Sequence, residues 1–126
     1  MLCVDTSSFI AYLEGRPGRD SELVDQALAD GVVTIAPVTV AELLSDPHLA
    51  HSLRRLILKI PVLPLSEGFW ERAGLLRAKV LRGGHKAKLA DTLIAQCCLD
   101  HGASLVTRDG DFKVFHRLAG LRVLID

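Results

Sequence analysis

Five short segments rich in β-branched and aliphatic residues alternate with helical stretches along this chain, and that alternation restricts the fold more than any other feature. The segments are Leu2–Val4, Val32–Ala36, Pro61–Leu63, Ser104–Thr107 and Arg122–Ile125. Helical patterns separate them: Ser7–Glu14, Ser21–Asp30, Thr39–Ser45 with His48–Lys59, Ser66–Arg82, Lys88–His101 and a short one over Asp111–His116. Gly31, Gly102 and Gly120 each stand just past a helical pattern and just before a strand, where a helix stop is needed. Strands joined through helices pair in parallel, with helices over both faces of the sheet. The expected architecture is a three-layer α/β/α sandwich around a central, mostly parallel five-stranded sheet. With 126 residues, no internal repeat and no low-complexity segment, residues 1–126 are expected to form a single domain. Gly83-Gly84 is the one expected flexible joint.

Composition excludes several classes. Hydrophobic residues make up 49% of the chain, but no run approaches the roughly 20 apolar residues of a membrane span. The first strand reaches Asp5 too soon for a secretory signal. Fifteen basic and fifteen acidic residues balance, so contact with a nucleic acid must come from a local patch. The three cysteines, Cys3, Cys97 and Cys98, include an adjacent pair and no C-x-x-C. That pattern argues against a disulfide framework or a zinc site and for a reducing, cytoplasmic setting.

Acidic residues mark the functional edge. In a parallel sheet, ligands gather beyond the carboxyl ends of the strands, where the strand order reverses. Asp5 ends the first strand, Glu42 lies in the first turn of the helix after the second, Asp91 lies in the first turn from Lys88, and Asp109 follows the fourth strand. Each has a local explanation. Asp5 could cap a helix, Thr39-x-x-Glu42 matches a capping box, Asp91 suits a helix dipole, and Asp109 fits a turn. Together these explanations fail, because four converging carboxylates repel one another and resist ionisation. Arg108 could contribute a counter-charge but cannot neutralise all four. A divalent cation resolves the conflict, and an all-oxygen site suits Mg²⁺ or Mn²⁺ better than zinc. His48-x-x-His51 lacks metalloprotease spacing, and most histidines are expected at the surface.

The residues Val4-Asp5-Thr6-Ser7, Thr39-Val40-Ala41-Glu42-Leu43, Leu89-Ala90-Asp91-Thr92-Leu93-Ile94-Ala95 and Thr107-Arg108-Asp109-Gly110-Asp111-Phe112 resemble, in order and spacing, the motifs of PIN-domain ribonucleases. The likeness is strongest to the VapC-type toxins of toxin–antitoxin pairs, and it spans essentially the whole chain. It implies Asp5, Glu42, Asp91 and Asp109 as catalytic and metal-holding acids around Mg²⁺ or Mn²⁺. Ser7 and Thr107 would support them by hydrogen bonding. Asp111 is a second acid near Asp109, with Asp109 favoured because it leaves the strand sooner. Thr92 and Cys3 depart from the family's usual Ala and aliphatic residue.

The chemistry so implied is endoribonucleolytic: a metal-activated water attacks an RNA phosphodiester, and no Ser, Cys or His nucleophile is required. Arg72, Arg77, Lys79, Arg82, His85, Lys86 and Lys88 form a basic run leading to Asp91. Arg82, Lys86, Lys88 and Arg108 are the candidate substrate contacts, against the plainer reading of a solvated helix face. Phe9, Ile10, Tyr12 and Leu13 give the first helix surplus apolar surface. Family likeness alone implies a cognate antitoxin and a homodimer as partners. Alternatives are an RNA-processing nuclease of the same fold outside a toxin system, or a catalytically idle RNA- or protein-binding module. A phospho-acceptor domain is disfavoured because Leu63-Pro64-Leu65 stands where its acceptor Asp belongs. A haloacid-dehalogenase-type phosphatase is disfavoured because Ser7 occupies its second Asp.

Overall fold

The computed structural model describes residues 1–125. Four parallel strands, β1 (Leu2–Val4), β2 (Val33–Thr34), β3 (Ser104–Thr107) and β4 (Val123–Ile125), form one sheet in the order β2-β1-β3-β4. Seven helices connect them: α1 (Thr6–Leu13), α2 (Arg19–Ala29), α3 (Pro37–Leu44), α4 (His51–Lys59), α5 (Phe69–Arg82), α6 (Leu89–His101) and α7 (Lys113–Ala119). A 3₁₀ turn, Gly110–Phe112, precedes α7.

The chain leaves β1 for β2 on one side and later returns to β3 on the other. Strand order therefore reverses between β1 and β3, and the carboxyl ends of those two strands flank the crevice that such a reversal opens.

The expected five-stranded sheet is corrected to four strands. Pro61–Leu63 contributes only a single parallel bridge, Ile35 to Val62, outside β2. Two hydrogen bonds hold it, from Ile35 N–H to the Pro61 carbonyl at 3.1 Å and from Leu63 N–H to the Ile35 carbonyl at 3.0 Å. Pro61 and Pro64 have no N–H to give, so the ladder cannot lengthen in either direction.

Strand residues alternate between two hydrophobic cores, as the pleat requires. Cys3 and Leu105 face a core built with α5, α6 and α7, whereas Val4 and Val106 face one built with α1, α2, α3 and α4. All three thiols are free and buried; burial pushes Cys97 up to about 12, and a hydrogen bond with Cys3 together with burial raises Cys98, so these two pack as neutral side chains. No helix among the described residues is long and apolar enough to cross a membrane.

Helix ends follow local chemistry. Gly31, Gly102 and Gly120 adopt φ of 68°, 62° and 74°, the left-handed stop their positions predict. α3 begins at Pro37, earlier than expected, because proline suits a first helical position. α4 begins at His51 instead of His48, because the Asp46 carboxylate accepts the His48 N–H at 2.9 Å and holds a turn there.

Candidate metal centre

The pairing of β1 with β3 builds the site. Val4 lies opposite Val106, and Asp5 N–H continues the ladder by donating to the Val106 carbonyl at 2.9 Å. Asp5 therefore stands beside Thr107. Its backbone occupies the cap position of α1, yet its side chain caps nothing. Asp5 Oδ2 instead accepts the hydroxyls of Ser7 at 2.6 Å and Thr107 at 2.8 Å. The residue is 3% exposed. Burial raises its carboxyl above the ordinary range, opposed by both hydroxyls and the Thr6 N–H, and Asp109 adds repulsion.

Asp91 arrives from the other side, as the third residue of α6, and is half-buried. Burial first, and then the charges of Asp5 and Asp109, push it up to about 6, only partly offset by Lys88. Asp109 leaves β3 directly. Its Oδ1 accepts the Asp111 N–H at 2.9 Å and caps the 3₁₀ turn, while its own N–H donates to Thr107 Oγ1 at 3.0 Å. That tight turn brings Asp111 back, so carboxylate oxygens of Asp91, Asp109 and Asp111 all lie within 4.8 Å of one another. Asp109 and Asp111 thus both face the cluster, where the sequence offered them as alternatives. The donors are all oxygen and mutually repulsive, which fits a hard divalent cation.

Glu42 does not join this set. Because α3 starts at Pro37, Glu42 falls in its second turn, not its first, and is exposed. Its Oε1 accepts the Thr6 hydroxyl at 2.7 Å, and it lines a groove between α1, α3 and α4. The capping box also fails to form. Ala36 holds the cap position, and Thr39 is a buried helical residue whose hydroxyl finds no partner among the described residues.

The basic residues divide. Arg108 Nε and Nη2 donate to Asp20 at 2.7 and 2.8 Å, which turns this candidate substrate contact into a bracket behind the site. Arg72 pairs with Asp100 at 2.6 Å, Arg77 donates to the Ala87 carbonyl at 2.8 Å, and Lys79 to the Leu118 carbonyl at 2.6 Å. Arg82, Lys86 and Lys88 remain exposed, and Lys88 is near enough to Asp91 to oppose its upward shift.

Sequence reasoning missed Asp20. It is 1% exposed, also accepts the Ser8 hydroxyl at 2.8 Å, and is held below the usual carboxylate range by Arg108. It lies 88 positions from its partner, so no local pattern could have revealed the pair.

Residues 2–119 match the family described as the PIN domain. The chain is 31% identical over 130 aligned residues to VapC ribonuclease Mb1587 of Mycobacterium bovis, covering 97% of this chain and 96% of that one. It has the same identity and coverage with Ribonuclease VapC11 of Mycobacterium tuberculosis. Among solved structures, the DNA-bound VapBC of Salmonella typhimurium superposes with a TM-score of 0.76 at 21% identity, covering 98% of this chain and 96% of that chain. FitAB bound to a DNA fragment gives 0.71 at 24% identity, covering 99% and 94%.

Proposed function

The chain belongs to the PIN domain family, and from that premise we propose that it is a metal-dependent endoribonuclease and the toxin of a VapBC-type toxin–antitoxin pair. The observation that carries this reading is the meeting of Asp91, Asp109 and Asp111 within 4.8 Å, with the buried Asp5 behind them. An idle binding module has no use for acids that destabilise one another.

Asp91, Asp109 and Asp111 would hold the metal, with Asp5 adding negative charge from behind and Glu42 lying outside this set. Mg²⁺ or Mn²⁺ suits these donors best. Such an ion, when bound, acidifies a water and offsets charge on the phosphate that is attacked. The protein's part is to fix the acids. Ser7 and Thr107 hold Asp5 in one orientation, and the turn at Asp109 holds Asp111. Lys86 and Lys88, with Arg82 farther out, stand ready to neutralise the backbone of an RNA substrate.

The antitoxin is the first expected partner. A groove of about 160 Å³ between α1, α3 and α4 has an apolar floor that includes Ile10, Leu13 and Leu53, and acids Glu14, Glu42 and Asp46 beside it. That lining suits an amphipathic segment bearing basic residues. A homodimer is the second: Trp70, Leu75 and Leu81 of α5 stay exposed at 63%, 69% and 46%. The cytoplasm is the expected compartment.

The test is cleavage of single-stranded RNA by the purified chain with Mg²⁺ or Mn²⁺, with EDTA, and with Asp5→Asn. Discrete new ends that need both the metal and Asp5 support the proposal. Equal cleavage in EDTA, or by Asp5→Asn, overturns it.

A further inference from the structure

A cleft of about 260 Å³ opens beside Asp111, walled by His85 and Lys86 on the loop between α5 and α6 and by Lys113 and Arg117 on α7. Lys113 and Arg117 are four residues apart and so share one face of α7. Lys86 reaches in from the opposite wall. All three are exposed, and none makes an ion pair or side-chain hydrogen bond among the described residues. This contrasts with Arg72, Arg77 and Lys79, each of which is spent on a structural partner. Gly110 lines the cleft where it meets the acids, and nothing lies within 4 Å of the place a Cβ would occupy, so the passage is open.

We infer that this cleft is a phosphate subsite, in which Lys86, Lys113 and Arg117 grip the backbone of single-stranded RNA on one side of the bond that is cut. The chain has a formal net charge of zero. Its overall field therefore cannot draw a polyanion, and binding must come from a local group of uncompensated cations. Three such cations converge here, and the same cleft is lined by Asp111 of the acidic cluster. A strand held by them passes directly into the metal centre. An acidic peptide would meet the same cations but has no phosphate to present to the metal, so RNA is the occupant the geometry favours. The inference rests on the ribonuclease reading for its choice of substrate.

The test is fluorescence anisotropy of a labelled single-stranded oligoribonucleotide with the full chain. EDTA is included so that no strand is cut, and KCl is varied. The Lys113→Gln/Arg117→Gln double variant should bind at least about tenfold more weakly, and its log K against log[salt] slope should shrink by about 1.4, some 0.7 for each lost phosphate contact. Lys86→Gln should lower the slope by about 0.7 and decides the matter if the double variant fails to fold. Arg54→Gln/Arg55→Gln, on the exposed face of α4, should change neither quantity. Unchanged affinity and slope in the cleft variants overturn the inference. So does a polyglutamate peptide that binds as tightly as RNA with the same dependence on Lys113 and Arg117. Absence of metal-dependent cleavage by the unaltered chain counts against the ribonuclease reading alone, because the binding slopes still decide the subsite.

Discussion

Thr107 donates its hydroxyl proton to Asp5 Oδ2 at 2.8 Å, across 102 positions of sequence. Thr107 Oγ1 in turn accepts the Asp109 N–H at 3.0 Å, so one threonine orients an acid on β1 and anchors the loop that delivers two more. Thr107→Val keeps the shape and removes both bonds. The variant should lose about 1–2 kcal/mol of stability and roughly 10- to 100-fold in metal affinity or cleavage rate. Thermal unfolding and Mn²⁺ titration check the two separately. A wild-type Mn²⁺ affinity in Thr107→Val would show that the hydroxyl does not position the acids.

Asp91 titrates at about 6 in the folded chain against 3.8 for an unperturbed carboxyl. As pH falls through 6, the folded chain takes up a proton before the unfolded chain does, so the metal-free protein gains stability until pH approaches 3.8, where the unfolded chain is protonated as well. Asp5 is shifted in the same direction. Metal binding needs the ionised acids and should reverse the trend. The expected outcome is a higher Tm at pH 5 than at pH 7.5 in EDTA, and a much larger Mn²⁺-induced rise in Tm at pH 7.5 than at pH 5. Equal Mn²⁺ shifts at both values would contradict it.

Glu42 is exposed and bonded to Thr6, outside the 4.8 Å cluster. Glu42→Gln should therefore alter Mn²⁺ affinity by no more than about threefold, whereas Asp91→Asn or Asp109→Asn should weaken it by at least about tenfold. Calorimetric titration of the three variants gives the ranking, and Glu42→Gln falling level with Asp91→Asn would refute it.

Asp20 and Arg108 form a two-bond ion pair, with side-chain exposures of 0% and 27%. Arg108→Gln leaves Asp20 buried without its cation and should cost about 2–3 kcal/mol, read from urea unfolding. Because Asp20 is held below its ordinary value, this stabilisation is fully present above about pH 4 and fades only as the pH falls further. The loss in Arg108→Gln should accordingly be full at pH 7 and shrink below pH 4. A loss that does not depend on pH would assign the effect to packing instead.

Much of the fold is legible in the one-dimensional pattern. Alternation of aliphatic runs with helices specifies parallel pairing, and Gly31, Gly102 and Gly120 mark helix ends because only a residue without a side chain takes that left-handed turn cheaply. The fifth strand is the instructive error. Val62 and Leu63 have the right composition, but Pro61 and Pro64 deny the ladder its donors, a local cost that tertiary packing does not repay. The start of α3 is similar, since Pro37 outcompetes Thr39 as a helix opener.

Sequence alone determined that Asp5, Asp91 and Asp109 lie at the carboxyl edge of the sheet, because each stands just past a strand end or just inside a helix start. Tertiary structure decided which of them meet. The opposition of Val4 to Val106 brings Asp5 beside Thr107, the turn after Asp109 folds Asp111 inward, and the second-turn position of Glu42 carries it outward. The Asp20–Arg108 bracket belongs wholly to that second level, because Coulomb attraction selects partners by distance in space, to which sequence separation is no guide. The same level sets Lys86 opposite Lys113 and Arg117 across the basic cleft.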